Sequence, residues 1–237
     1  MTASSPSATN RRVLVWDAPV RVFHWLLAAC FVGAFVTGDS ERWRLLHVTL
    51  GYTAGALVVF RLLWGLTGTR HARFAAFVRG PGAVAGYLRS LLQREPQHTV
   101  GHNPAGAWAI VGLLALTLGV VAAGWATYTE VGGEWLEELH EGAANVLLAL
   151  VLVHVAGVVV SSRLHHENLV RAMITGRKNG LPADGIRHAW RSVAALMLCA
   201  VLGFWSWQWS QAPAAAEQQA RAETSERHHD RRHHDER

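Results

Sequence analysis

Apolar residues run along this chain in long unbroken blocks, without the alternation or three-and-four spacing of a soluble domain. A bilayer core of about 30 Å is crossed by about 20 residues of apolar helix. Five segments meet that length, at about 21–38, 46–66, 104–126, 139–161 and 191–209. The third and fourth, AWAIVGLLALTLGVVAAGWA and GAANVLLALVLVHVAGVVV, are the purest. The fifth, SVAALMLCAVLGFWSWQW, is shorter and ends in tryptophans suited to the membrane boundary. Arg11 and Arg12 before the first block raise a signal peptide, but no small-residue cleavage site follows, so it reads as a retained helix. HNPAG, at 102–106, marks a helix start, with Asn103 as cap and Pro104 in the first turn. The 67–101 connection is expected to hold short interfacial helices such as GAVAGYLRSLLQ. Residues 211–237 have little to bury and are expected to be disordered. The fold class is all-α, an integral membrane helical bundle with a four-helix core plus a fifth transmembrane helix.

Charge orients the bundle. Basic residues gather before the first span (Arg11, Arg12, Arg21), between the second and third (Arg70, Arg73, Arg79, Arg89, Arg94) and after the fourth (Arg163, Arg171, Arg177, Lys178, Arg187, Arg191). The alternate loops carry DSERWR and the acidic TEVGGEWLEELHEG. The excess of Lys and Arg faces the cytoplasm, which places the N-terminus inside and, after five spans, the C-terminus outside.

Composition agrees: 51% of the 237 residues are hydrophobic and 16% charged, with 11 Trp, where a soluble domain carries about a quarter charged residues. The net charge of +5 is interleaved with apolar runs. It therefore fits anionic lipid headgroups and excludes nucleic acid as the partner. Two cysteines, Cys30 and Cys199, both in apolar runs, exclude a disulfide framework, and no C-x-x-C-H is present for covalent haem attachment.

Four of the 14 histidines fall inside the spans or at their ends. His24 lies near the inner end of the first span, and His47 and His140 open the second and fourth from the outside. His154 follows His140 by 14 residues, about 21 Å and close to four whole turns, so both share one face at opposite depths. The depths pair His24 with His154 and His47 with His140. Each pair can supply two axial nitrogens to one haem iron between helices, the competing reading being plain interhelical hydrogen bonding; zinc would want four close ligands, which the depths forbid. Gly51, one turn after His47, leaves room for a porphyrin face, as does Gly157 near His154. Arg61, 14 residues after His47, sits near the inner haem as a candidate propionate partner, with snorkelling to the cytoplasmic surface as the competing expectation. Arg21 and Arg44 are similar candidates at the two surfaces. His102, His165 and His166 read as interfacial polar groups.

The stretches VWDAPVRVFHW, LLHVTLGYTAGALVVFRLLWG, GHNPAGAW and LHEGAANVLLALVLVHVAGVVVSS followed by NLVRAMITGRK resemble the prokaryotic cytochrome b561 family. Within it they are similar to the b-type cytochrome subunit of nickel–iron hydrogenases and its stand-alone relatives. The resemblance covers residues 13–178 and implies a four-helix cytochrome b domain with two non-covalent haems b. One is held by the first and fourth helices and the other by the second and fourth. It further implies a bacterial inner-membrane respiratory component, an electron-transfer subunit serving a quinone-linked oxidoreductase. The partners implied are membrane quinone or quinol and a periplasmic c-type cytochrome or hydrogenase subunit. Residues 179–210, a linker and the fifth transmembrane helix, and the His-rich tail 211–237 lie outside it.

Two other readings compete. An intramembrane histidine proton or ion transporter needs polar residues between the two depths, and the fourth span offers only Asn145 there. A metal-binding membrane protein would rest on the tail motif HHDRRHHDER, a composition common in solvated ends.

Overall fold

The computed structural model describes residues 11–93 and 99–212; of the tail expected to be disordered, Gln211 and Ala212 instead end a helix, and 213–237 lie outside the described residues. Five helices are long and apolar enough to cross a membrane. They are α1 (Ala18–Thr37), α2 (Arg44–Thr67), α5 (Pro104–Tyr128), α6 (Glu134–Leu164) and α8 (Arg191–Ala212). Short helices α3 (Phe74–Phe77), α4 (Pro81–Leu92) and α7 (Leu169–Thr175) fill the connections at one end of the bundle. Asn103 caps α5 as expected, its Oδ1 accepting the Gly106 N–H at 2.7 Å.

The bundle is apolar on the outside. Val36, Leu66, Val153 and Leu196 are each more than 60% exposed. A monomeric soluble protein does not leave so much contiguous apolar surface in water, whereas lipid covers it at no cost. This is a multi-pass membrane protein. Its core is correspondingly small: Phe23, Cys30, Leu50, Ala54, Leu57, Val58, Leu114 and Met197.

Packing follows chain order. α1 pairs with α2 and α5 with α6, and α2 joins the two hairpins by lying against α5. α8 docks through Met197, Val201 and Trp205, the last donating its indole N–H to Thr53 Oγ1 of α2 at 2.9 Å. α6 is longer than its apolar block because Glu134 and Glu137 occupy its first turn, where carboxylates suit the helix dipole. His140 therefore stands nearly two turns inside α6 instead of opening it.

One feature is absent from the hydropathy pattern. β1 (Arg11–Leu14) pairs antiparallel with β2 (Arg177–Gly180), Val13 opposite Lys178, and closes the end bearing the N-terminus. Gly176 makes the closure possible at φ 78°, a left-handed conformation that glycine adopts without strain. A Cβ there would come within 2.6 Å of the Trp16 carbonyl oxygen. The Gly176 carbonyl accepts from both Val15 and Trp16 N–H at 2.8 and 3.0 Å. The segment leading to α8 belongs to the same cap, with Ile186 N–H on Leu14 O and Ala18 N–H on Ala189 O, both at 2.8 Å. Within the cap Lys178, 4% exposed, pairs with Glu167 at 2.9 Å.

Candidate functional site

The four intramembrane histidines lie at two levels. At the end away from the cap, His47 of α2 and His140 of α6 face each other with ring centroids 6.0 Å apart and planes at 79°. Two metal–imidazole bonds of about 2 Å, plus roughly half a ring at each end, span a centroid separation on the order of 6 Å. Each ring is also oriented. Nδ1 of His47 lies 2.9 Å from the Ala34 carbonyl of α1, and Nδ1 of His140 lies 2.9 Å from the Val120 carbonyl of α5. A carbonyl only accepts, so both Nδ1 atoms carry the proton and both Nε2 atoms keep a free lone pair. Metal-bound histidines are held in this way, the second ring nitrogen anchored to a backbone oxygen.

Gly124 of α5 is part of this arrangement, and hydropathy did not single it out. A methyl group on it would stand 2.7 Å from Cε1 and 2.9 Å from Nδ1 of His140. Gly124→Ala is expected to push the imidazole off the Val120 carbonyl. Loss of an outer-shell bond of this kind weakens metal affinity about 10- to 100-fold. Haem transfer to apomyoglobin from the purified variant measures it; wild-type transfer rates would contradict it.

At the capped end, His24 of α1 and His154 of α6 lie within electrostatic reach of each other, without the ring contact of the outer pair. Nδ1 of His24 is buried and has no hydrogen-bond partner, and the ring meets Trp25 edge-on at 4.9 Å. Arg61, on α2, is 2% exposed, so it does not snorkel. Its guanidinium lies over Phe74 at 4.7 Å and Phe77 at 6.0 Å, and its Nη1 has no partner. A Cβ built at Gly157, near His154, meets nothing within 4 Å, nor does one at Gly51, one turn from His47 at the other level. At the capped end a buried orphaned guanidinium nitrogen, a buried orphaned imidazole nitrogen and the open position at Gly157 fit an anionic, flat, apolar group such as haem.

Arg21 and Arg44 are used elsewhere. Arg21 donates from Nη1 to the Ile174 carbonyl at 2.6 Å, tying α1 to α7. Arg44 is exposed, pairing with Glu41 at 3.6 Å and lying over Tyr128.

His102 departs from its reading as an interfacial polar group. Its ring packs between Trp16 and Phe77, both at 4.5 Å, and its buried Nδ1 has no partner. Burial, reinforced by the positive charges of Arg61 and Lys178, pushes its pKa down from 6.5 to about 3. The folded protein keeps this imidazole neutral while the unfolded chain protonates it below pH 6.5, so stability falls as pH falls from 6.5 towards 3 and is untouched above 6.5. Between pH 7 and pH 5 the loss is about 2 kcal/mol. Thermal melts in detergent at the two pH values, compared with His102→Phe, measure it; an equal acid sensitivity in the variant would contradict it.

Among the described residues no group of three or more His, Cys, Asp or Glu side chains converges on one point. The histidine geometry is one of pairs.

The model for the family described as prokaryotic cytochrome b561 matches residues 15–176, which include all four histidines. The chain is 25% identical over 222 residues to a probable Ni/Fe-hydrogenase B-type cytochrome subunit of Bradyrhizobium diazoefficiens, covering 74% of this chain and 90% of that one. A protein of the same description from Rhizobium leguminosarum bv. viciae is 25% identical over 216 residues, covering 71% and 90%. The probable Ni/Fe-hydrogenase 1 B-type cytochrome subunit of Escherichia coli (strain K12) is 27% identical over 143 residues, covering 49% and 60%. No solved structure matches the chain.

Proposed function

The chain belongs to the prokaryotic cytochrome b561 family, and on that premise we propose that it is a di-haem carrier between membrane quinone and a periplasmic redox partner. Membership brings b-type haem and membrane electron transfer. Our reading adds two haems per chain, the residues that hold them, and the direction in which each faces. The observation that carries it is the matched pair of Nδ1–carbonyl bonds, His47 to Ala34 and His140 to Val120, which leaves two Nε2 lone pairs on facing rings.

Haem b bound at each pair supplies an iron centre that accepts and releases one electron at a time. The chain sets the conditions. His47 and His140 would hold the outer haem, and His24 and His154 the inner. The protein would tune the potential of a haem held there through its surroundings. Arg61, at the depth of His24, offers its free Nη1 to a propionate of the inner group and makes reduction there easier. Gly51 and Gly157 leave the porphyrin faces room.

The charge asymmetry puts the β1–β2 cap in the cytoplasm of a bacterial inner membrane, and the His47–His140 pair beneath the periplasmic surface. Glu130, Glu134, Glu137 and Glu138 are all exposed there, three of them on the first turns of α6. Such a surface steers a basic redox protein, a c-type cytochrome or a hydrogenase subunit, and salt screens the attraction. Pyridine haemochrome analysis of the purified protein is expected to give two haems b per chain, all extracted by acid–acetone. Stopped-flow oxidation by a basic soluble cytochrome is expected to slow with rising ionic strength. One haem per chain would overturn the di-haem reading, and a salt-independent rate would remove the acidic surface as the docking site.

A further inference from the structure

The capped end holds a cavity of about 350 Å³. Its lining includes Arg70, Arg79, Asp184 and the imidazoles of His71 and His102, and its apolar walls include Phe77 and Pro104. The two guanidiniums are underused. Arg70 donates to the Ala183 carbonyl and Arg79 to that of Ala76, each through one bond of 3.3 Å. Among the described residues the side-chain ion pairs are Arg44–Glu41 and Lys178–Glu167, and neither involves this cavity. Asp184 forms no ion pair with either arginine; its Oδ2 accepts the Leu181 N–H at 3.0 Å. His71 donates its Nε2–H to the Asp184 carbonyl at 2.8 Å, which braces the wall.

The depth of the cavity is also marked. Pro104 begins the spanning helix α5, so the cavity sits at the edge of the hydrocarbon layer. One turn further, Trp108 is 46% exposed and donates its indole N–H to the Arg79 carbonyl at 2.8 Å. An exposed tryptophan with its polar edge satisfied at this level marks the headgroup plane. Two arginines with no ion pair among the described residues, in that plane and beside the apolar Phe77 and Pro104, match a phosphate with acyl chains attached.

We propose that this cavity binds the phosphodiester headgroup of an anionic phospholipid from the cytoplasmic leaflet, held by Arg70 and Arg79 against Phe77 and Pro104. Basic pockets beside transmembrane helices on the cytoplasmic side take anionic lipid in this way. The choice of leaflet rests on the orientation proposed above, whereas the site does not depend on the number or placing of the haems.

The test is native mass spectrometry of the full chain, delipidated in a neutral detergent and titrated with phosphatidylglycerol, phosphatidylcholine or inorganic phosphate. One phosphatidylglycerol is expected to be retained per chain, at least tenfold more tightly than phosphatidylcholine. The double variant Arg70→Gln/Arg79→Gln is expected to lose roughly thirtyfold in that affinity, about fivefold for each arginine. Haem content and helical circular dichroism should be unchanged in it, and Arg70→Lys/Arg79→Lys should keep most of the binding. Equal affinity for the two lipids, or wild-type affinity in the double Gln variant, would overturn the proposal. Displacement of the bound phosphatidylglycerol by millimolar inorganic phosphate would overturn the lipid assignment in favour of a soluble anion. Displacement by a short-chain quinone would overturn it in favour of a quinone pocket.

Discussion

Replacing His47 or His140 with alanine is expected to remove one of two haems and leave the other with its native spectrum and potential. Replacing His24 or His154 should remove the complementary one. The expected haem content falls from two per chain to about one, because a bis-histidine iron that loses one axial ligand keeps little hold on a non-covalent haem. Within a pair the two substitutions should look alike, and a substitution from each pair combined should abolish haem altogether. The contrast rests on depth: His140 and His154 share α6 but stand 14 residues, about 21 Å, apart along it, too far to serve one iron. A redox titration of each variant reads out which component is lost. His102→Ala and His165→Ala should retain both haems, which separates ligands from histidines that merely lie near the inner site. Identical residual spectra and potentials for His24→Ala and His47→Ala would overturn the pairing.

Hydropathy carried the five spans because lipid imposes one rule on every residue of a crossing helix, and that rule is local in sequence. The limits of α5 were legible for the same reason, since Asn103 and Pro104 act on the turn they begin. The histidine levels were legible through helical rise alone. The β1–β2 cap was not. RRVL and RKNG have no apolar alternation, and their pairing joins residues more than 160 positions apart, so their basic residues registered only as an orientation signal. The roles of Gly124 and Gly176 were hidden for another reason. Each depends on what a missing Cβ would strike, a His140 ring or a Trp16 carbonyl, and neither neighbour is adjacent in sequence. Arg61 shows where intrinsic tendency and context part. A long cation near a helix end ordinarily reaches for water, but the aromatic rings of Phe74 and Phe77 close over this one and hold it at the inner site.

Asp17→Ala is expected to be the most destabilising single change outside the histidines. The side chain is 1% exposed and serves three elements. Oδ1 caps α1 by accepting the Val20 N–H at 2.9 Å, and Oδ2 accepts from Trp64 Nε1 at 3.1 Å and Thr69 Oγ1 at 2.6 Å. It thus pins the start of α1 to the end of α2, the two helices that present His24 and Arg61. It is also the carboxylate whose charge acts on the buried Arg61. Removing it leaves three donors without their acceptor, a total cost of about 3–5 kcal/mol. For a chain of this size that corresponds to a fall in melting temperature on the order of 10 °C. Asp17→Asn separates the two contributions: it keeps an oxygen acceptor for the cap and removes the charge. If the stranded guanidinium dominates, adding Arg61→Gln to Asp17→Asn should recover part of the lost stability, with a coupling of about 1 kcal/mol or more in the double-mutant cycle. Melting in detergent followed by far-ultraviolet circular dichroism compares the wild type, Asp17→Ala, Asp17→Asn, Arg61→Gln and the double variant. An Asp17→Ala variant that melts with the wild type would remove this carboxylate as the pin between α1 and α2.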